Sequence, residues 1–492
     1  MSALGRRGRL DSTGSLAGRA AKAAAWSGLS TIALRFGSFA VGIVLARVLS
    51  PDQFGVYAVA LAVQSILMAV ADLGLSADLI RSDDYERKAP TVATLGLVSG
   101  GLLALFTILS APALAELLGS SAAAPAIAVL GGTLLLAGGG VVPYAMLQRR
   151  FDQKSMFTIG VVDFVASTAV TLLFVALGWG ALSIALGRLL GQTLSTGLQF
   201  VFAKVRPRYG IDRSLLRPIL AFGLPITGAN MLSLALLNID NIVLARVAGA
   251  TALGFYVLAF NISNWPMSAL SQVLRSISLP YIARADNAPR ALTGLVAVAW
   301  ALALPAGVAI ATLAGPIIAV VYGERWLPAA AVLAALGVFG ALRVIFDTFA
   351  SYLYAIGKSR PVLWLQALWF LALTVGMIAA TGAYGIVGAG WVHVVVALFI
   401  MLPAYLYTIH RAGVSVVAIA KQAWVPVVGA LPAALAAALA TRIESPVLAM
   451  VIGGLSALLV YGAVTGPWLM RRLRAIRGAQ TNAATNLTPR EA

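Results

Sequence analysis

Four arginines, four aspartates and one histidine stand inside stretches of this chain that are otherwise apolar: Arg35, Arg188, Arg275, Arg343, Asp72, Asp163, Asp240, Asp347 and His393. A charged side chain near the centre of a bilayer costs roughly 2.5 to 3.5 kcal/mol on insertion scales, so it is kept only where it faces a cavity or a partner. Arginine holds a fixed fork of donors that suits phosphate oxygens and does not lose its charge. A carboxylate flanked by amides suits a proton or a sodium ion.

Arg35 has no charged residue within a helical turn, which makes it the first candidate for contact with an anion; a structural pair with an aspartate on another helix is the alternative. Asp240 lies between Asn238 and Asn241 and reads either as a coupling or gating group or as a polar helix contact. Asp72 and Asp163 fall toward the predicted cytoplasmic ends of their helices, where a structural bond competes with a role in coupling. Arg343 and Asp347 are four residues apart, the spacing of a local ion pair on one helix face.

The elements that must carry these residues are transmembrane helices. Of 492 residues 60% are hydrophobic and 11% charged, against about half and a quarter in soluble domains. A span takes about 20 apolar residues, and the apolar runs predict about fourteen. They lie near 26–48, 55–80, 91–118, 122–147, 155–177, 180–203, 218–245, 252–280, 291–321, 327–356, 361–380, 384–408, 422–441 and 446–470. No run reads as a cleavable signal, and no outer connection leaves room for an external domain.

With the N-terminus inside, 27 of the 35 Lys and Arg fall on cytoplasmic segments, and the opposite side holds Arg47, Arg246, Arg325 and Arg442. Such asymmetry is the positive-inside signature, so both termini are expected in the cytoplasm. By helix rise, Arg35 then lies near mid-membrane, Arg275 toward the cytoplasmic end of its helix and Arg188 in the outer half.

Residues 43–65 align without a gap with 242–264; nine positions are identical, Gly55/Gly254 and Tyr57/Tyr256 among them. A weaker echo pairs Gly180–Ala185 with Gly385–Gly390 and so sets Arg188 opposite His393. The predicted fold is an all-α integral membrane protein of two parallel six-helix repeats around a central cavity, with two further helices. The divisions are a cytoplasmic segment 1–25, a first lobe 26–203, a cytoplasmic linker 204–217, a second lobe 218–408, two added helices over 409–470 and a cytoplasmic tail 471–492.

Several chemistries are excluded. There are no cysteines, so thiol catalysis, disulfides and thiolate metal sites are absent, and two histidines do not make a histidine cage. No cofactor or metal is expected. Gly357-Lys358-Ser359 fails as a phosphate loop because position 352, where the motif needs glycine, is Tyr. The net charge of +18 is spread over alternate loops rather than gathered on one soluble face, which argues against a nucleic-acid partner.

Leu49–Ala58 and Asp72–Arg81, followed in the second repeat by Asn238–Arg246, Gly254-Phe255-Tyr256 and Tyr354–Arg360, resemble the Wzx-type oligosaccharide flippases of polysaccharide biosynthesis and export. The resemblance implies a bacterial cytoplasmic-membrane flippase that moves an oligosaccharide on polyprenyl diphosphate to the outer leaflet by alternating access. Its implied partners are that lipid-linked substrate, membrane lipid, a proton or sodium ion and a polysaccharide polymerase. On this reading Arg35, Arg275, Arg188 and His393 contact substrate, while Asp240, Asp72 and Asp163 serve coupling or gating. A cation-coupled multidrug exporter is the rival within transport. A membrane glycosyltransferase or polymerase is the rival among enzymes.

Overall fold

In hydrocarbon every backbone N–H and C=O must be satisfied within its own segment, which leaves helices as the economical answer for apolar runs of this length. The computed structural model describes residues 36–206, 208–283, 285 and 287–485, and among them there is no strand. The predicted cytoplasmic segment 1–25, the first ten residues of the first span with Arg35, and residues 486–492 lie outside the described residues.

Two compact units divide the chain, Met1–Gly254 and Phe255–Ala492. The first contains α1 (Phe36–Val48), α2 (Pro51–Asp72), α3 (Leu75–Arg81), α4 (Tyr85–Leu117), α5 (Ala124–Gly139), α6 (Val141–Arg149), α7 (Gln153–Ala176) and α8 (Ala181–Ala203). The boundary falls within α9 (Arg213–Ala283). The second unit continues with α10 (Ala288–Thr312), α11 (Ala314–Val321), α12 (Ala330–Ala355), α13 (Ser359–Val396), α14 (Leu402–Arg411), α15 (Val416–Ala440) and α16 (Pro446–Thr485).

Ten described segments are long and apolar enough to cross a bilayer. Where the sequence predicts two spans at 218–245 and 252–280, α9 runs through both with one non-helical residue, Gly249 (φ 83°, ψ 174°). The spans predicted at 361–380 and 384–408 likewise join across Gly385 of α13, in one helical run Ser359–Arg411 that continues through a π-helical turn into α14. Conversely, 55–80 divides into α2 and α3 because Leu73 and Gly74 are left-handed (φ 47° and 65°). Large apolar side chains stand outward along these helices, Leu109 at 73% and Trp364 at 74% exposure, as a lipid-facing surface requires.

Helix starts follow local chemistry. Ser50 and Gln53 form a reciprocal capping box with Pro51 in the first turn of α2. Asp152 caps α7 by accepting from the Ser155 amide at 3.1 Å, and Ser415 caps α15.

The duplication is visible in backbone geometry. Gly180 (φ 55°, ψ −132°) and Gly385 (φ 59°, ψ −143°), aligned in sequence, share one unusual conformation that suits glycine. Within the first unit, Gly55 abuts the Ala250 carbonyl and Gly254 abuts the Pro51 carbonyl. Pro51 and Ala250 are themselves aligned, so the contact is reciprocal. The aligned pair Asp52 and Thr251 completes it, with the Thr251 hydroxyl donating to Asp52 at 3.0 Å.

The segment 204–217 is tied to the start of α4. Arg87 donates to Asp212 at 2.9 Å and to Ser214 at 3.3 Å, the Gly210 amide donates to Thr94 at 2.9 Å, and the Asp212 amide donates to Thr91 at 3.1 Å. Nearby, Asp78 is 1% exposed and accepts from Lys88 at 2.8 Å. The Ser214 bonds and then Arg87 hold the Asp212 carboxyl below the ordinary carboxylate range.

Candidate functional site

In the first unit, α7 and α8 form a hairpin that turns at Gly180, and α8 presents glycines to its partner. Gly187 lies against the Ser167 carbonyl and the Thr171 hydroxyl. A Cβ on Gly191 would stand 2.5 Å from an Asp163 carboxylate oxygen and 2.9 Å from the Ser167 Cβ. The Asp163 carboxylate therefore occupies space that only glycine leaves. Arg188 is one turn before Gly191 on α8, and α8 also packs against α2, the helix of Tyr57.

The two opposite charges thus stand within one turn of each other along α8 and, among the described residues, form no ion pair. Among the described residues, Asp163 accepts no side-chain or backbone hydrogen bond and Arg188 makes no ion pair within 4 Å. Arg188 is exposed although it lies only seven residues into a helix of 23, about 10 Å from its start. An exposed guanidinium at that depth, with donors to spare, can bind an anionic oxygen; a carboxylate beside it can carry a proton.

The second unit holds the aligned pair in a different state. His393 is 2% exposed; its Nδ1 is 2.9 Å from the Ala389 carbonyl and its Nε2 is 3.3 Å from the Tyr256 hydroxyl. A carbonyl only accepts, so Nδ1 carries a proton and, in the neutral ring, Nε2 accepts from Tyr256. Phe339 packs edge-on against the imidazole, ring centroids 5.0 Å apart. Every polar atom of that ring is spent within the fold.

Arg343 departs from expectation. It forms no ion pair with Asp347 within 4 Å; instead it donates to Asn264 of α9 at 3.2 Å, and Asn264 also accepts from Ser268 at 2.9 Å. The local pair fails because α12 packs Arg343 toward α9, at a cavity of about 10 Å³ shared with Phe260, Met267 and Phe339, which is room for about one water.

Asp72 ends α2 and accepts from the Ser76 hydroxyl at 2.9 Å and the Ser76 amide at 3.4 Å, bonding across its own turn into α3. Asp240 is half-buried in α9. Its amide neighbours are engaged elsewhere, Asn238 with the Leu234 carbonyl at 2.8 Å and Asn241 with Asn238 at 3.5 Å. Arg35 and the side chain of Arg275 lie outside the described residues, so the expected ladder of three arginines is represented by Arg188.

Sequence reasoning assigned no role to Tyr57, Gly191, Asn264 or Phe339. For Tyr57 the signal was present: Tyr57 aligns with Tyr256 and Arg188 with His393, so any partnership in one repeat suggests the same partnership in the other.

A profile of a family described as polysaccharide biosynthesis protein matches residues 44–331. The chain is 24% identical over 398 residues to the succinoglycan biosynthesis transport protein ExoT of Rhizobium meliloti, covering 79% of each chain. It is 25% identical over 337 residues to the teichuronic acid biosynthesis protein TuaB of Bacillus subtilis, covering 67% of this chain and 70% of the relative. Against the lipopolysaccharide biosynthesis protein WzxC of Escherichia coli it is 24% identical, covering 68% and 69%. Among solved structures, the lipid II flippase MurJ in an inward closed conformation aligns with a TM-score of 0.71 at 13% identity over 90% of this chain and 99% of that one. An inward-facing MATE multidrug transporter aligns at 0.59 and 17%, covering 78% and 96%. At these identities the structural likeness is one of fold.

Proposed function

Because the chain belongs to the polysaccharide biosynthesis protein family, we propose that it is a flippase carrying polyprenyl-diphosphate-linked oligosaccharide across the bacterial cytoplasmic membrane for surface polysaccharide assembly. A diphosphate does not cross hydrocarbon bare, and the protein must supply cations at depth. The observation that carries the reading is Arg188, exposed and without an ion pair among the described residues in α8 of a multi-pass helical protein. The named transport role of a succinoglycan-pathway relative and the flippase fold of the lipid II carrier support it.

On this reading the cycle is alternating access with both termini in the cytoplasm. Arg188 receives the diphosphate together with Arg35 and Arg275, and a proton or sodium ion bound at Asp163 or Asp240 biases the exchange between states. The bonding of Asp72 to Ser76 and of His393 to Tyr256 and Ala389 supports positioning roles for those two. No covalent step is assigned to the protein, and a polysaccharide polymerase is the expected consumer of its product.

Deleting the chain from a cell that makes the polymer tests this. Lipid-linked repeat units then accumulate on the cytoplasmic leaflet. Repeat units that reach the outer leaflet normally but stay unpolymerised, or that are never completed, would instead assign the chain to polymerisation or glycosyl transfer.

A further inference from the structure

The two repeats carry one constellation in two states, and the difference says which copy works. In the second unit the cation position is His393, sealed between Tyr256, Ala389 and Phe339. In the first unit the same position is Arg188, exposed on α8, which packs against the helix of the aligned Tyr57, and there a carboxylate is added: Asp163, seated against Gly191 one turn away. The residue aligned with Gly191 is Val396, whose buried side chain lies near Gly376 of α13. The first unit has thus replaced a closed polar contact with an open pair of opposite charges.

We propose that Asp163 and the anionic head of the transported lipid compete for Arg188, so that protonation of Asp163 releases Arg188 to bind phosphate and deprotonation expels it. This deepens the flippase reading and rests on it. Neither charge is consumed by a direct bond among the described residues, which leaves the guanidinium available to the stronger anion. A carboxylate within reach of an arginine lowers that arginine's affinity for a second anion; once neutral, it no longer does. Phosphate offers more acceptor oxygens to the fork than a carboxylate, and it binds Arg188 most tightly when Asp163 is neutral and no longer contests the guanidinium. Of the elements packed on α7 around Asp163, α8 contributes Arg188 as its charged group. The first turn of α1 brings Gly37 against Phe164.

The test is binding of farnesyl diphosphate to the purified full chain in phosphatidylcholine nanodiscs as pH is varied, with phosphatidylglycerol as a competing source of phosphate. Asp163→Asn mimics the protonated state. It should bind the probe tightly with no steep pH dependence, while the wild type weakens relative to it by up to about tenfold per unit rise in pH, the limit for one linked proton. Arg188→Gln should remove the difference between the two backgrounds. Competition by phosphatidylglycerol as strong as that by unlabelled farnesyl diphosphate would overturn the assignment to the diphosphate head. If all three proteins bind with one pH profile, the competition is wrong and the flippase reading stands. If Asp163→Asn fails to accumulate and Asp163→Asn/Arg188→Gln restores folding and binding, the pair is a structural ion pair and the proposal falls. If folded wild type binds neither farnesyl diphosphate nor a lipid-linked oligosaccharide, the flippase reading falls and takes the proposal with it.

Discussion

The hydroxyl of Tyr256 lies 3.3 Å from Nε2 of His393, and the residues aligned with them, Tyr57 and Arg188, again stand on two packed helices, α2 and α8. A duplicated gene keeps such a pairing where the fold needs it. It changes one copy where function requires the change. On the proposed reading the sealed copy is scaffold and the open copy the working site.

That contrast predicts opposite phenotypes for the two tyrosines. Tyr256→Phe deprives a buried imidazole of its donor and should cost about 1 to 3 kcal/mol, read as a lowered melting temperature of the purified protein. Tyr57→Phe should leave melting nearly unchanged and alter transport. Equal destabilisation by both would remove the distinction between the copies.

Gly191→Ala should place a methyl 2.5 Å from the Asp163 carboxylate, overpacking the α7–α8 contact at a cost of about 1 to 3 kcal/mol and depressing transport in the protein that still folds. Gly197, on the same helix, has no atom within 4 Å of an added Cβ. Gly197→Ala is therefore the control and should be neutral or mildly stabilising.

Much of this was legible in the sequence, and the reasons are physical. Backbone satisfaction in lipid ties apolar length to helix, and duplication left identical residues at 43–65 and 242–264, so helices and repeat were both readable. The running together of two predicted spans in α9 and in α13 was not, because a single glycine at 249 or 385 turns the chain without a polar loop to mark the place. The partner of Arg343 was not legible either. Spacing along one helix proposes Asp347, but the choice of Asn264 depends on how α12 packs against α9, which no local pattern encodes.

The segment 204–217 should answer to acid. The Asp212 carboxyl titrates below its ordinary value in the folded chain because Ser214 and Arg87 favour its charged form. Its contribution is complete above the unfolded pKa of about 3.9 and is lost as pH falls through the lower folded value. Proteolytic cleavage within 204–217 should thus rise only in strong acid for the wild type. Arg87→Ala should raise cleavage already at neutral pH, and no difference between the two would show that the Arg87 link does not hold this segment.

The orientation is testable because the chain has no cysteine of its own. A membrane-impermeant thiol reagent applied from outside should label Arg246→Cys and spare Arg208→Cys. The reverse pattern would invert the topology.

Reconstitution tests the central claim most directly. Proteoliposomes containing the full chain, loaded asymmetrically with a polyprenyl-diphosphate-linked oligosaccharide, should expose that glycan on the opposite leaflet to an added lectin far faster than protein-free vesicles, and Arg188→Gln should abolish the gain while remaining folded. If the wild type leaves the glycan on its original leaflet but moves cationic drugs against a proton or sodium gradient, the protein is an exporter of drugs and not a flippase of lipid-linked sugar.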